Sequence, residues 1–279
     1  MAKMMNTELS AYDWNNGFPE NDIQEDQFRD KINAKKYDEP LYVGAPKIIL
    51  IIASVPRTGS TLLLYGLQSL SLAAKGFEYF NHQIIPDFKL RWGSNISNDD
   101  YVNKLFVHRT TPQGIFTVKC HYDHFRMFSD ILMKNNCQFI RISRRNTIYQ
   151  AISLYIAHLT DAWQSSSRKK RAVQYDDYNF HNIFNKYTYL DKLNNLWDTF
   201  FAEKSISPIT TVWYEELSSH YSEVIASVAM KITGTPFSRL QIPPPTLKKQ
   251  AGGISEYFYQ RFVDDAEAYG ILQTNLESA

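Results

Sequence analysis

The chain has 279 residues, 44% of them hydrophobic and 14% aromatic, enough to bury one substantial core. Thirty Lys and Arg stand against 29 Asp and Glu, so no overall basic field points to nucleic acid. No apolar run reaches the ~20 residues of a membrane span, and two cysteines, Cys120 and Cys137, without C-x-x-C spacing or a set of histidine partners, carry no metal motif.

Met1 to Asp38 is polar and acidic, and lacks the charged start, apolar stretch and small-residue cleavage site of a signal peptide. Residues 1–44 are therefore expected to be a polar leader, followed by one domain over residues 45–279 in the reducing cytoplasm.

Lys47 to Ser54, KIILIIAS, is a β-branched run without alternation and predicts a strand buried on both faces. It runs into Pro-Arg-Thr-Gly, after which Ser60 or Thr61 is expected to cap a helix carrying Leu62, Leu63 and Leu67. The pattern then repeats. Gly114 to Lys119 reads as a strand, Tyr122 to Lys134 as a helix and Cys137 to Ser143 as a strand. Asn146 is a plausible cap for a helix with Ile148, Ala151, Ile152 and Tyr155 on one face. Ser165 to Asp177, polar and basic, reads as a surface loop. A long helix is expected around Asn182 to Glu203, a short strand over Ile209 to Trp213 and a helix near Tyr221 to Thr233. The three prolines from Pro243 are expected to end regular structure. Such alternation predicts an α/β fold, a P-loop-like three-layer sandwich with a central parallel sheet flanked by helices and ligands at the carboxyl ends of the strands.

The turn after the first strand has the form of an anion loop. A glycine-containing turn at a helix N-terminus offers backbone N–H groups and a positive dipole; Gly59 admits close approach, Ser60 and Thr61 add hydroxyls, and Arg57 adds a bidentate cation. The nucleoside-triphosphate loop would place a lysine directly after the glycine, where Ser60 stands. At the second junction, RISRRNTIYQAIS, Arg144 ends the strand and Ser153 lies nine residues on.

Together SVPRTGSTLL and IRISRRNTIYQAIS resemble the two phosphate-binding elements of sulfotransferases that use 3'-phosphoadenosine 5'-phosphosulfate (PAPS). The resemblance implies that Arg57, Thr58, Gly59, Ser60 and Thr61 hold the 5'-phosphosulfate, and Arg144 and Ser153 the 3'-phosphate. PRTGSTLL, FEYFN, QAIS and LKKQAGGISEYFYQRF, in that order, resemble the bacterial trehalose 2-sulfotransferase-like family over Lys47 to Asp264. Arg145 and Asn146 stand where that family often has Pro-Asp, and Lys249 where Arg is common.

Two residues compete as the base that deprotonates the acceptor. The trehalose-like pattern implies Glu78, whose aromatic neighbours Phe77, Tyr79 and Phe80 are expected to bury it partly and raise its pKa. TVKCHYDH instead resembles the Lys-Thr-His of eukaryotic cytosolic sulfotransferases, where the His, here His121, is the base. Arg57 and Lys119 are expected to face the bridging oxygen and the transferring sulfuryl group, Tyr214 the adenine, and Lys248 and Lys249 the 3'-phosphate.

Sulfuryl transfer requires alignment and neutralisation of the charge that develops on the leaving phosphate, which cationic side chains can supply without a magnesium signature. The acceptor implied is a hydroxyl of a carbohydrate, a glycolipid or a small hydroxylated metabolite; a homodimer stays open, as do a nucleotide kinase and a non-catalytic nucleotide-binding protein.

Overall fold

The computed structural model describes residues 38–75, 78–163, 170–245, 247 and 252–271. The leader up to residue 37, Phe77, residues 165–169 of the basic loop, and Lys248 and Lys249 lie outside the described residues.

Four strands, β1 (Ile48–Ala53), β2 (Ile115–Cys120), β3 (Cys137–Ser143) and β4 (Thr210–Trp213), form one sheet in the order β2-β1-β3-β4, with every pair parallel. The expected unbroken apolar run of β1 is explained by its central place. Ile49, Ile51 and Ala53 enter the core on one face and Leu50 and Ile52 the core on the other, all fully buried. Parallel strands require crossovers, and helices supply them.

On one face α1 (Ser60–Ser69) and α9 (Tyr221–Thr233) pack through Leu63, Leu67, Ile225 and Val228. The other, aromatic-rich face carries α6 (Thr147–Thr160), α7 (Phe180–Glu203) and α10 (Gly253–Ala268), with α2 (Ile85–Trp92), α3 (Asn98–Arg109) and the short α4 (Tyr122–Arg126) and α5 (Ser129–Leu132) beside them. The six-residue α8 (Tyr214–Ser219) follows β4 directly.

Asn146 caps α6 as expected, its side chain accepting from the Tyr149 N–H at 2.9 Å, and Ile148, Ala151, Ile152 and Tyr155 are buried. Two expectations need correction. The helix over Tyr122 to Lys134 is two short helices separated at Met127 and Phe128; burial of Phe125, Phe128 and Leu132 gives the helical spacing without an unbroken helix. Neither Ser60 nor Thr61 caps α1: both are within the helix, and the cap position is Gly59, with no side-chain cap bond. Past the three prolines the next regular element among the described residues is α10, whose Phe258, Phe262 and Ala266 repeat at helical spacing. The described part of the basic loop lies at the surface as expected and carries a 3-10 turn at Tyr175–Asp177, where the Asp177 carboxylate accepts from the Gln174 N–H and from Arg171, each at 2.8 Å.

Asp38 is tied to the domain by ion pairs with Arg91 and with the fully buried Arg109, the latter at 3.0 Å, and the Tyr42 N–H donates to the Val107 carbonyl at the end of α3. No helix among the described residues is long and apolar enough to cross a membrane.

Candidate active site at the carboxyl ends of the strands

The sheet brings together what the chain separates. Arg57 to Thr61 follow β1, Lys119 lies in the last two residues of β2 with His121 just beyond the strand, Arg144 follows β3, and Tyr214 follows β4, so all these candidates lie at one edge of the sheet. In parallel α/β sheets that edge is where ligands bind.

The loop after β1 is held by its neighbours. The fully buried Thr58 hydroxyl donates to the Val55 carbonyl at 2.9 Å, and Gln150 of α6 donates to the Pro56 carbonyl at 2.6 Å. Thr58 therefore spends its side chain inside the loop and has only its backbone to offer a ligand. Gly59 has φ +79°, and a Cβ there would sit 2.6 Å from Cδ2 of Tyr214. Glycine is required both by the left-handed backbone and by the tyrosine ring packed on it. Arg57 also has a positive φ, +66°, a strained state that costs ~1–3 kcal/mol and recurs at ligand clamps.

The Arg57 Nε donates to Ser153 Oγ at 3.0 Å and its Nη1 to the Trp163 carbonyl at 2.5 Å, so the guanidinium meets the residue expected to grip the 3'-phosphate. Burial, and then the like charge of Arg144, pull its pKa down to about 10 against the attraction of Tyr214. Arg144, also lowered by burial, stacks its guanidinium on the Tyr214 ring at 4.6 Å. Two desolvated guanidinium groups that repel each other form a cationic centre that an anion would relieve.

Lys119 occupies the other side of the loop. Its ammonium donates to Thr61 Oγ1 at 3.0 Å and pairs with Glu78 at 2.8 Å, linking the anion loop to the candidate base. Glu78 lies in a loop, and it also accepts from Asn81 at 3.2 Å. The expectation of a raised pKa is overturned. Burial does push the carboxyl up, but Lys119, through charge and hydrogen bond, together with His121 and His124, holds it well below the usual carboxylate range.

His121 places its Nδ1 3.1 Å from the Ser54 carbonyl, which also accepts from the buried Trp197 indole at 3.0 Å. A carbonyl only accepts, so Nδ1 carries the proton and Nε2 the lone pair. Burial lowers the His121 pKa in spite of Glu78, keeping the imidazole neutral. Sequence reasoning passed over two more imidazoles. His124, three residues after His121, has its ring 5.6 Å from that of His121 and 6.0 Å from that of the exposed His82. Burial, aided by His121, pulls the His124 pKa down to about 4. The spacing of His121 and His124 across the first turn after β2 was the available signal.

Tyr149, in the first turn of α6, hydrogen-bonds Glu256 of α10 and stacks on Tyr259 at 4.3 Å. These contacts bring the start of the C-terminal helix, which resumes at Gly252, to the corner that carries Arg144.

The chain was compared with known proteins. Curated relatives named trehalose 2-sulfotransferase come from Mycobacterium tuberculosis, 23% identical over 79% of this chain and 96% of the relative, and from Mycolicibacterium smegmatis, 23% identical over 81% and 98%. Among solved structures, a sulfotransferase from Alicyclobacillus acidocaldarius is similar at a TM-score of 0.43 and 15% identity, covering 82% of this chain and 96% of that one. The family model for Stf0 sulphotransferase matches residues 49–265, from the first strand through most of α10, and the chain belongs to that sulfotransferase family.

Proposed function

We propose that this sulfotransferase takes the sulfuryl group from PAPS and transfers it in line to a hydroxyl of a carbohydrate or glycolipid. The observation that carries the reading is the position of Lys119, whose one ammonium touches both Thr61 of the anion loop and the Glu78 carboxylate. A sulfuryl group held at the loop and a hydroxyl held at Glu78 would meet across that ammonium. The names of the curated relatives support a sugar acceptor.

In this reading the N–H groups from Thr58 to Thr61 and the hydroxyls of Ser60 and Thr61 hold the 5' side of the donor. Arg57, Arg144 and Ser153 hold the 3'-phosphate, with Lys248 and Lys249 closing over it and Tyr214 beside the adenine. Lys119 neutralises charge on the leaving phosphate. Glu78 is the base, and it becomes a stronger one as Lys119 turns from it toward the sulfuryl oxygens; His121 is a hydrogen-bonding neighbour of the acceptor.

The test is transfer of label from radiolabelled PAPS to a panel of mono- and disaccharides, glycolipids and small alcohols, beside melting shifts with adenosine 3',5'-bisphosphate and Mg-ATP. Labelled sugar and a larger shift with the bisphosphate are expected, since a ligand at a hundred times its Kd stabilises by ~2.7 kcal/mol. An equal or larger shift with Mg-ATP overturns the donor assignment, and label appearing only on non-sugar alcohols overturns the acceptor class.

A further inference from the structure

Glu215, the second residue of α8, has no part in the reading above, yet its carboxylate turns back onto the neighbouring strand's corner. Its Oε2 accepts from the Arg145 N–H at 3.1 Å and its Oε1 from the Asn146 N–H at 3.4 Å. Oε1 also lies 3.9 Å from Nε of Arg144, a nitrogen that makes no hydrogen bond among the described residues. The adjoining side chains repeat the clamp. Arg144 covers Tyr214, Arg145 covers Trp213 at 4.8 Å, and Arg145 donates to Glu216 at 2.6 Å. Ser143 and Trp213 are paired in the sheet, so the two corners leave it side by side.

We infer that Glu215 is a positioning residue for the donor's 3'-phosphate, an inference that rests on the PAPS reading. Its carboxylate occupies the backbone N–H groups of Arg145 and Asn146 that would otherwise be orphan donors at the start of α6. A phosphate at this corner must then be gripped by side chains, Arg144, Ser153 and Arg57, and its affinity depends on how well Arg144 is held in place. Glu215 and the Tyr214 ring hold the guanidinium from two directions, so that less side-chain freedom is lost when phosphate arrives.

A carboxylate so near an anion site also repels the anion, and the sign of the net effect can be argued. Glu215 is 36% exposed and Arg144 only 11%, so water screens the repulsion while the buried cation keeps its pull. Both carboxylate oxygens are already engaged by N–H groups, which spreads their charge into the helix terminus. Positioning outweighs repulsion, and removal of the carboxylate weakens phosphate binding.

The experiment is calorimetric binding of adenosine 3',5'-bisphosphate and of AMP, which lacks the 3'-phosphate, to the full chain and its Glu215→Ala, Glu215→Gln and Glu216→Ala variants. Loss of the charge-assisted bonds is expected to weaken bisphosphate binding of Glu215→Ala by roughly tenfold to a hundredfold, with AMP little changed. Glu215→Gln keeps the shape and one acceptor oxygen, so it folds as the parent does and shows the same selective loss to a smaller degree; Glu216→Ala matches the parent. Tighter bisphosphate binding in either Glu215 variant, or equal weakening of both nucleotides, overturns the inference while leaving the donor assignment standing. A parent protein that does not prefer the bisphosphate to AMP has no 3'-phosphate site, which overturns the donor assignment and the inference with it.

Discussion

Substitution of Glu78 by Gln removes one charge from the pair that joins the anion loop to the candidate base, and its effects on stability and turnover can be separated. Lys119 Nζ lies 2.8 Å from Glu78 Oε1, with the lysine 11% and the glutamate 27% exposed. At an effective dielectric of ~20 the attraction is about 6 kcal/mol. Partial exposure of the carboxylate screens it, and stranding one member of a largely buried pair typically costs ~3–5 kcal/mol. At ~2–4 °C per kcal/mol for a domain of this size, the variant should melt roughly 6–20 °C lower. Sulfuryl transfer at saturating donor should fall by at least ~10²-fold if Glu78 is the base, while bisphosphate affinity, set at the Arg57 and Arg144 side, is retained. His121→Asn should lose less. The pH dependence gives a second readout. Glu78 has a folded pKa below its ordinary ~4.3, so the pair's stabilisation is fully present above ~4.3 and is lost only as pH falls through the folded value. A Glu78 base therefore gives no acid limb in kcat/KM, which reports the free enzyme, between pH ~5 and ~7. Transfer measured below the melting range of both variants decides the question. A Glu78→Gln rate within tenfold of the parent, together with a hundredfold loss in His121→Asn, would refute the assignment and move the base to His121.

Arg57→Ala should raise the donor KM more than it lowers kcat, because its guanidinium binds Ser153, which is read here as a 3'-phosphate ligand; a loss confined to kcat in steady-state kinetics would return Arg57 to the bridging oxygen. His124→Phe should flatten the stability profile in acid. His124 titrates at about 4 when folded against ~6.5 unfolded, so the unfolded chain binds more protons across that window and stability rises with pH by up to ~3 kcal/mol. Urea denaturation of parent and variant from pH 4.5 to 7 measures this difference, and an unchanged slope would place the titration elsewhere.

Much of the fold was legible locally. β3 spans Cys137–Ser143 and α9 Tyr221–Thr233, the ranges that the sequence predicts, because Phe139, Ile140 and Ile142 are the apolar run that a strand buries and an amphipathic helix must repeat. Helices α3 and α10 were equally readable in principle. Ser97 accepts from the Asp100 N–H at the start of α3, and Tyr101, Val102, Leu105 and Phe106 follow at helical spacing.

The sequence by itself determined the strand-loop-helix that makes an anion site, since a buried strand, a glycine turn and a helix N-terminus are local properties of a dozen residues. It also carried the family, which lies in the order of its motifs. The tertiary structure decided which charges meet. Glu78 was expected to titrate high from its aromatic neighbours, but Lys119 lies 41 positions along the chain and only the sheet brings it to 2.8 Å. Arg57 meets Ser153 across 96 positions, and Tyr214 fills the space beside Gly59 from the far strand. Coulomb energy falls with distance in space and takes no account of distance along the chain, so these pairings, and the proton affinities they set, became visible only once the four strand ends stood in a row.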